Sequence, residues 1–249
     1  MEIKKFYTEN KVIENIEVSN GIYKLKVEGN FKGNPGQFYM IRSWEDDPLL
    51  SRPVSIHNIS EDGRNIEFLY AVVGKGTEIL KRLKSNDKLK LMGPLGNGFN
   101  IDEANKGKVA IVCGGIGIAP MNYVISKLKN AEISLFAGFK NEVYGIDNIE
   151  EFIKDLKIST EDGYRGYKGF ITDIFNPKEF DLVLCCGPEI MMNKVIKICR
   201  ESNTKVYISQ EKKMACGIGA CLVCTCKTKT GNKRTCKDGP VFLGDDIEI

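Results

Sequence analysis

Lys108-Val109-Ala110-Ile111-Val112-Cys113-Gly114-Gly115-Ile116-Gly117-Ile118-Ala119-Pro120 is the stretch on which the fold turns. Positions 109–113 are continuously apolar, without the alternation of a half-exposed strand, so they read as a strand covered on both faces. The glycines that follow lead to a proline near the first turn of a helix, which is how a nucleotide phosphate meets a helix N-terminus. Toward the C-terminus, 133–138 and 182–186 are further short apolar runs, and 120–130, 148–157 and 188–202 carry helical periodicity. Strands alternating with helices imply a parallel, doubly wound sheet. A second strand end, Cys185-Cys186-Gly187-Pro188, sets another Gly-Pro at the carboxyl edge of that sheet, and two such edges define a ligand crevice. Gly114, Gly115, Gly117, Pro120, Cys186, Gly187 and Pro188 are therefore the candidate nucleotide contacts. The glycines do not form GxGxxG, and no convincing acidic residue follows about twenty positions later.

Toward the N-terminus the pattern changes at Gly93-Pro94-Leu95-Gly96-Asn97-Gly98-Phe99. Before it, short strands at 15–19, 22–28, 37–42, 54–58, 66–73 and 88–92 are separated by turns such as Ser19-Asn20-Gly21 and Glu61-Asp62-Gly63, the spacing of an antiparallel barrel or sandwich. One short helix is expected at 76–84, with Ile79, Leu80 and Leu83 on one face. Arg52-Pro53-Val54-Ser55 sets a guanidinium and a small hydroxyl on one strand, suited to a diphosphate and a flavin edge, and Gly76-Thr77 offers backbone donors at a helix start.

The chain has 249 residues, 42% hydrophobic and 28% charged, which supplies real cores and excludes disorder, collagen and coiled coil. Lys and Arg total 36 against 33 Asp and Glu, a net charge of +3, too weak a field to imply nucleic acid. No run approaches a membrane span, and Met1-Glu2-Ile3-Lys4-Lys5 has no apolar stretch behind it, so a cytoplasmic protein with no membrane partner is expected. Nine cysteines are many for this length, and five lie between Cys216 and Cys236. In a reducing compartment such clustering indicates metal or redox chemistry rather than disulfides.

Cys216, Cys221 and Cys224 give C-x4-C-x2-C, and Cys236 supplies a distant fourth thiol, the plant-type 2Fe-2S ferredoxin spacing. Gly217, Gly219 and Ala220 let backbone N–H groups approach the sulfurs. A zinc ribbon is the competing reading, but it needs two C-x2-C pairs where this chain has one, and the single His, His57, is far away. Cys226 reads as a buried small hydrophobe, with ligation in place of Cys224 the alternative. Cys113, Cys185, Cys186 and Cys199 lie in apolar contexts as buried thiols. Lys227, Lys229, Lys233, Arg234 and Lys237 form either a solvated basic loop or a docking patch.

Arg52-Pro53-Val54-Ser55, Gly76-Thr77, Gly114-Gly115-Ile116-Gly117-Ile118-Ala119-Pro120 and Cys186-Gly187-Pro188 occur in the order seen in the ferredoxin-NADP reductase superfamily, which the chain resembles over nearly its whole length. With Pro48-Leu49-Leu50-Ser51-Arg52-Pro53 and Met214-Ala215-Cys216-Gly217-Ile218-Gly219-Ala220-Cys221-Leu222-Val223-Cys224, it resembles the electron-transfer subunits of type B dihydroorotate dehydrogenases. That resemblance implies an antiparallel β-barrel FAD domain (1–100), an α/β doubly wound parallel-sheet NAD domain (101–210) and a small 2Fe-2S module (211–249). It implies FAD contacts at Arg52, Pro53, Val54, Ser55, Leu69, Tyr70, Ala71, Gly76 and Thr77, and Cys216, Cys221, Cys224 and Cys236 as cluster ligands. It also implies an FMN-containing dihydroorotate dehydrogenase catalytic subunit as partner, in a heterotetramer, with NAD as co-substrate. Ser51 stands where the family often has a second Arg, and Asn86 where it usually has Gly before Asp87. Asn tolerates the left-handed conformation, so the turn should survive.

The expected activity is an electron relay, with hydride exchanged at FAD and single electrons passed through the cluster, and Ser55 bonded to the flavin edge. The absence of an Arg pair for a 2′-phosphate favours NAD over NADP. His57 reads as structural or exposed, and Glu211 as either near the nicotinamide or merely exposed beside Lys212 and Lys213. Two rival readings stay open: a reductase subunit of a hydrogenase, sulfide dehydrogenase or ferredoxin:NAD(P) complex, and a zinc-stabilised interaction module.

Overall fold

A computed structural model describes residues 7–147 and 149–249. The charged stretch Met1-Glu2-Ile3-Lys4-Lys5 lies outside the described residues. In the N-terminal half, β1 (Thr8–Ser19), β2 (Ile22–Glu28), β3 (Phe38–Arg42), β4 (Arg52–Ser55), β5 (Asn58–Ile59), β6 (Asn65–Ala71) and β7 (Lys88–Leu95) form one sheet in the order β4-β3-β7-β1-β2-β6-β5. All its pairings are antiparallel. Its two ends are halves of one segment. β4 pairs with β3, then Ile56 N–H donates to Gln37 O at 3.0 Å, His57 N–H donates to Glu67 O at 2.9 Å, and β5 pairs with β6. That crossing rolls the sheet into the expected barrel, which leaves no long free edge. Val12, Leu25, Ile41, Ile56, Phe68 and Leu91 fill it. α1 (Lys75–Leu80) is shorter than the sequence suggests, and Asn86 holds φ 75° in the tight turn before β7.

α2 (Ile101–Ala104), capped by Asn100 Oδ1 accepting from Glu103 N–H at 3.3 Å, leads into the second sheet. β8 (Lys108–Gly114), α3 (Ile118–Lys127), β9 (Glu132–Phe139), β10 (Asp155–Thr160), β11 (Tyr167–Lys168), β12 (Leu182–Cys186), α4 (Glu189–Ser202) and β13 (Lys205–Ser209) follow in the chain. The cysteine segment contributes the hairpin β14 (Thr225–Thr228) and β15 (Gly231–Arg234), then β16 (Val241–Leu243). The second sheet runs β11-β10-β9-β8-β12-β13-β16, parallel throughout except for β16. β8 is buried at every position from Val109 to Gly114, as its unbroken apolar run requires. One face packs Met121, Val124 and Ile125 of α3 against Val109, Ile111 and Leu184. The other packs Met192, Val195 and Ile196 of α4 against Val112, Val183 and Ile208. Cys113, Cys185, Cys186 and Cys199 are all buried in these two layers. Among the described residues no helix is long and apolar enough to cross a membrane.

The helix expected at 148–157 is not there; its first residue, 148, lies outside the described residues, and the rest is a 3-10 turn, Glu150–Phe152, followed by β10. Ile149, Phe152, Ile153 and Leu156 do recur at helical spacing. Six parallel pairings to β9, from Asp155 opposite Ser134 to Thr160 opposite Phe139, outweigh that periodicity.

Candidate functional site

The first cleft, about 360 Å³, opens between the barrel and the carboxyl edge of the second sheet. Arg52, Pro53, Val54, Ser55, Leu69, Tyr70, Ala71 and Thr77 line its barrel side together. Gly76 lines nothing itself but makes room: a Cβ there would lie 2.5 Å from Arg52 Nε. The guanidinium thus lies against the start of α1, over the Trp44 ring at 5.5 Å, with Nη1 donating to Leu50 O at 2.6 Å. Thr77 Oγ1 accepts from the Val73 and Gly74 N–H groups and donates to Gly74 O, so its hydroxyl fixes the turn. Ser51 is buried with its hydroxyl 2.9 Å from that of Tyr7.

Ile116, Ala119 and Pro120 form the opposite wall, while Gly114 and Gly115 line a second cleft of about 570 Å³. The glycine turn is thus a wall shared by two clefts, and a ligand occupying both must pass over it. Pro188, Met191, Phe139 and Phe170 make the second cleft largely apolar, with Lys140, Ser159, Glu161, Thr172 and Lys194 as its polar or charged groups. Gly117, Cys186 and Gly187 line neither cleft. A Cβ on Gly117 would stand 2.3 Å from Cys186 O, and one on Gly187 2.8 Å from Gly114 N, so these residues let two strand ends touch.

His57 is buried, with Nδ1 2.8 Å from Ala119 O, and Tyr123 Oη donates to Gly33 O at 3.2 Å; both bonds join the barrel to α3. Burial holds the His57 imidazole below its usual range despite the bond to Ala119. Glu211 is solvent-exposed and also lines the first cleft, beside Gln210 and Lys212.

The cysteine loop has the geometry of a sulfur cradle. Gly217, Gly219 and Leu222 hold φ of 72°, 81° and 63°, which turns successive N–H groups inward. Gly219 N–H points at Cys236 Sγ at 3.1 Å, Ala220 N–H at Cys216 Sγ at 3.3 Å, and Cys236 N–H at Cys224 Sγ at 3.4 Å. Burial raises the Cys216 thiol, but the N–H groups of Ile218, Cys221 and Ala220 and the Cys221 thiol outweigh it and bring it down to about 6. Burial and the neighbouring Cys224 push Cys236 up to about 12. Cys221 lies beside Cys216, and Cys236 has both Cys224 and Cys216 as neighbours. Four thiolates at this spacing suit two irons. Cys226 is buried in β14. Phe38, Met40 and Met92 of the barrel pack on Cys224 and Cys236, with Met214 alongside, and Phe38 and Met214 also line the first cleft. Phe38 and Met214 thus belong both to the cleft lining and to the apolar cluster that includes Cys224 and Cys236.

Sequence reasoning missed Lys140, Ser159, Glu161 and Gln210, which reach the clefts from strand ends remote from any motif. Residues 211–248 match the family model of the iron-sulfur cluster binding domain of dihydroorotate dehydrogenase B. The chain is 60% identical over 245 residues, 98% of each chain, to the dihydroorotate dehydrogenase B (NAD(+)) electron transfer subunit of Clostridium acetobutylicum. It is 50% identical to that of Clostridium perfringens, again over 98% of each chain. Among solved structures it superposes with a TM-score of 0.86 and 27% identity, over 96% of this chain and 89% of the other, on a chain of an NADH-dependent reduced ferredoxin-NADP oxidoreductase studied for flavin-based electron bifurcation. A Plasmodium falciparum ferredoxin-NADP+ reductase superposes at 0.64 with 20% identity, over 81% of this chain and 93% of that one, a likeness of fold.

Proposed function

The chain belongs to the electron-transfer subunits of dihydroorotate dehydrogenase B (NAD(+)), and on that premise we propose how its two clefts and its cysteine loop divide the work of carrying electrons to NAD+. Its partner is the FMN-containing catalytic subunit, on which dihydroorotate is oxidised in pyrimidine biosynthesis. When bound, FAD exchanges a hydride with nicotinamide and single electrons with a 2Fe-2S cluster, converting two-electron into one-electron traffic.

The first cleft holds the flavin. Arg52, held over Gly76, meets the diphosphate as a charge-assisted donor; Ser55 bonds the ring edge; Leu69 and Ala71 exclude water. The second cleft takes the adenosine half of NAD, whose nicotinamide reaches the flavin over Gly115 and Ile116. Cys216, Cys221, Cys224 and Cys236 hold the cluster, and the inward N–H groups offset the negative charge on the sulfurs. The observation that carries this reading is that Phe38 and Met214 belong both to the first cleft's lining and to the apolar cluster around Cys224 and Cys236, since electron transfer needs the two groups close. The C-x4-C-x2-C spacing with Cys236, and the likeness of residues 211–248 to an iron-sulfur cluster binding domain, favour it over a zinc module. We place the protein in the cytoplasm, where its thiols stay reduced for iron.

The test is co-expression with the catalytic subunit, followed by assay of FAD, iron, sulfide and dihydroorotate-dependent NAD+ reduction. One FAD and two irons per chain with NADH formation is the expected result. The cofactors without NADH formation would displace the partner, and a colourless zinc protein would overturn the relay.

A further inference from the structure

In doubly wound sheets the ribose of a dinucleotide is read by an acidic residue about twenty positions past the glycine turn, and a basic group there accommodates a 2′-phosphate. In this chain the position just past the second strand, β9, is Lys140. By that rule alone the site would accept a phosphorylated ribose. The next strand alters the balance. β9 and β10 are parallel and in register, with Gly138 opposite Ser159 and Phe139 opposite Thr160. One step further, Glu161 N–H donates to Lys140 O at 3.2 Å. Residues two apart share a face of the sheet, and Gly138, Lys140, Ser159 and Glu161 all line the second cleft. Ser159 is 1% exposed and its Oγ has no hydrogen-bond partner among the described residues. A buried hydroxyl without a partner is costly unless something placed in the cleft completes it.

We propose that Ser159 and Glu161 bind the hydroxyls of the adenosine ribose and that Glu161 rejects a 2′-phosphate by a one-charge balance against Lys140. The carboxylate accepts from a ribose diol, whereas a 2′-phosphate brought beside it is a like-charge contact, which costs severalfold to many-fold in affinity. Lys194 also lines the cleft but is paired with Asp173 at 2.6 Å, so removing the Glu161 charge leaves Lys140 unopposed and changes the cleft's preference without any new side chain being built. This rests on the second cleft being the adenosine site.

The test uses the full chain with its cofactors and two probes that lack nicotinamide, ADP-ribose and 2′-phospho-ADP-ribose, titrated calorimetrically. Wild type is expected to prefer ADP-ribose by about tenfold or more. Glu161→Gln should reduce that preference by about tenfold, chiefly by tightening 2′-phospho-ADP-ribose, and Lys140→Gln should enlarge it. Ser159→Ala should weaken both probes alike. If Glu161→Gln binds both probes with the wild-type ratio, the assignment of Glu161 falls while the cleft stands. If neither probe binds wild type, or neither competes with NAD+, the second cleft is not the adenosine site and both readings fall.

Discussion

Gly117 and His57 show how tightly single residues hold the clefts in place. A Cβ on Gly117 would meet the Cys186 carbonyl oxygen at 2.3 Å and its carbon at 2.6 Å, both backbone atoms that no rotamer change can clear. Gly117→Ala is therefore expected to destabilise the protein by about 1–3 kcal/mol, read from the denaturant midpoint, and an unchanged midpoint would show the strand ends to be looser than drawn. His57 links the barrel to α3 through Ala119 O and is held neutral by burial. Its folded pKa lies below the ordinary 6.5, so the unfolded chain binds the proton more readily. The stability this residue contributes is complete above about pH 6.5 and is lost as pH falls below it. His57→Gln, which keeps a donor for Ala119, should give a flatter Tm profile between pH 5 and 7 than wild type. Parallel profiles for the two proteins would assign the acid sensitivity elsewhere.

Elements make plain what the sequence could and could not disclose. β2 and β12 match their expected limits residue for residue, the first as an alternating strand after a turn signal and the second as a continuous apolar run. Arg52 to Ser55 and Leu69 to Ala71 line one cleft together, since strand and motif coincide there. β10 was illegible because its apolar spacing imitates a helix, and the strand exists only through its pairing with β9. The same non-locality hid Ser159 and Glu161, which flank no motif and reach the second cleft only once β10 is in register. β16 is the other element invisible to local reading, a three-residue strand that joins the cysteine segment to β13. Arg200 on α4 supports it by donating through Nη2 to Gly244 O at 2.9 Å, Asp245 O at 3.3 Å and Ile247 O at 2.6 Å. Hydrogen bonds from a charged donor contribute more than neutral ones, so Arg200→Ala is expected to cost about 2–3 kcal/mol. Amide exchange should rise first at 241–249, and uniform loss of protection across the chain would contradict this local role.

At the scale of the whole molecule, the cysteine segment packs on the barrel and adds β16 to the second sheet, and it has the least core of its own. Its buried apolar contacts are chiefly Phe38, Met40 and Met92, borrowed from the barrel, around Cys224 and Cys236, so bound iron must supply much of its folding free energy. The barrel and the second sheet each have cores of their own. Losing one cluster ligand should consequently separate the activities as well as the structures. Cys221 is the exposed thiol of the four, so Cys221→Ser disturbs the packing least while removing one of the four proposed cluster ligands. The variant is expected to lose the iron-sulfur absorption and the amide protection of 211–240, and with them dihydroorotate-dependent NADH formation by the complex. FAD should stay bound, protection of β2 and β8 should persist, and reduction of the bound flavin by added NADH should continue, because that exchange uses only the two clefts. Retained dihydroorotate-dependent NADH formation would show that electrons reach the flavin without the cluster. Loss of FAD together with iron would show that the barrel depends on the cysteine module and that the three units fold as one.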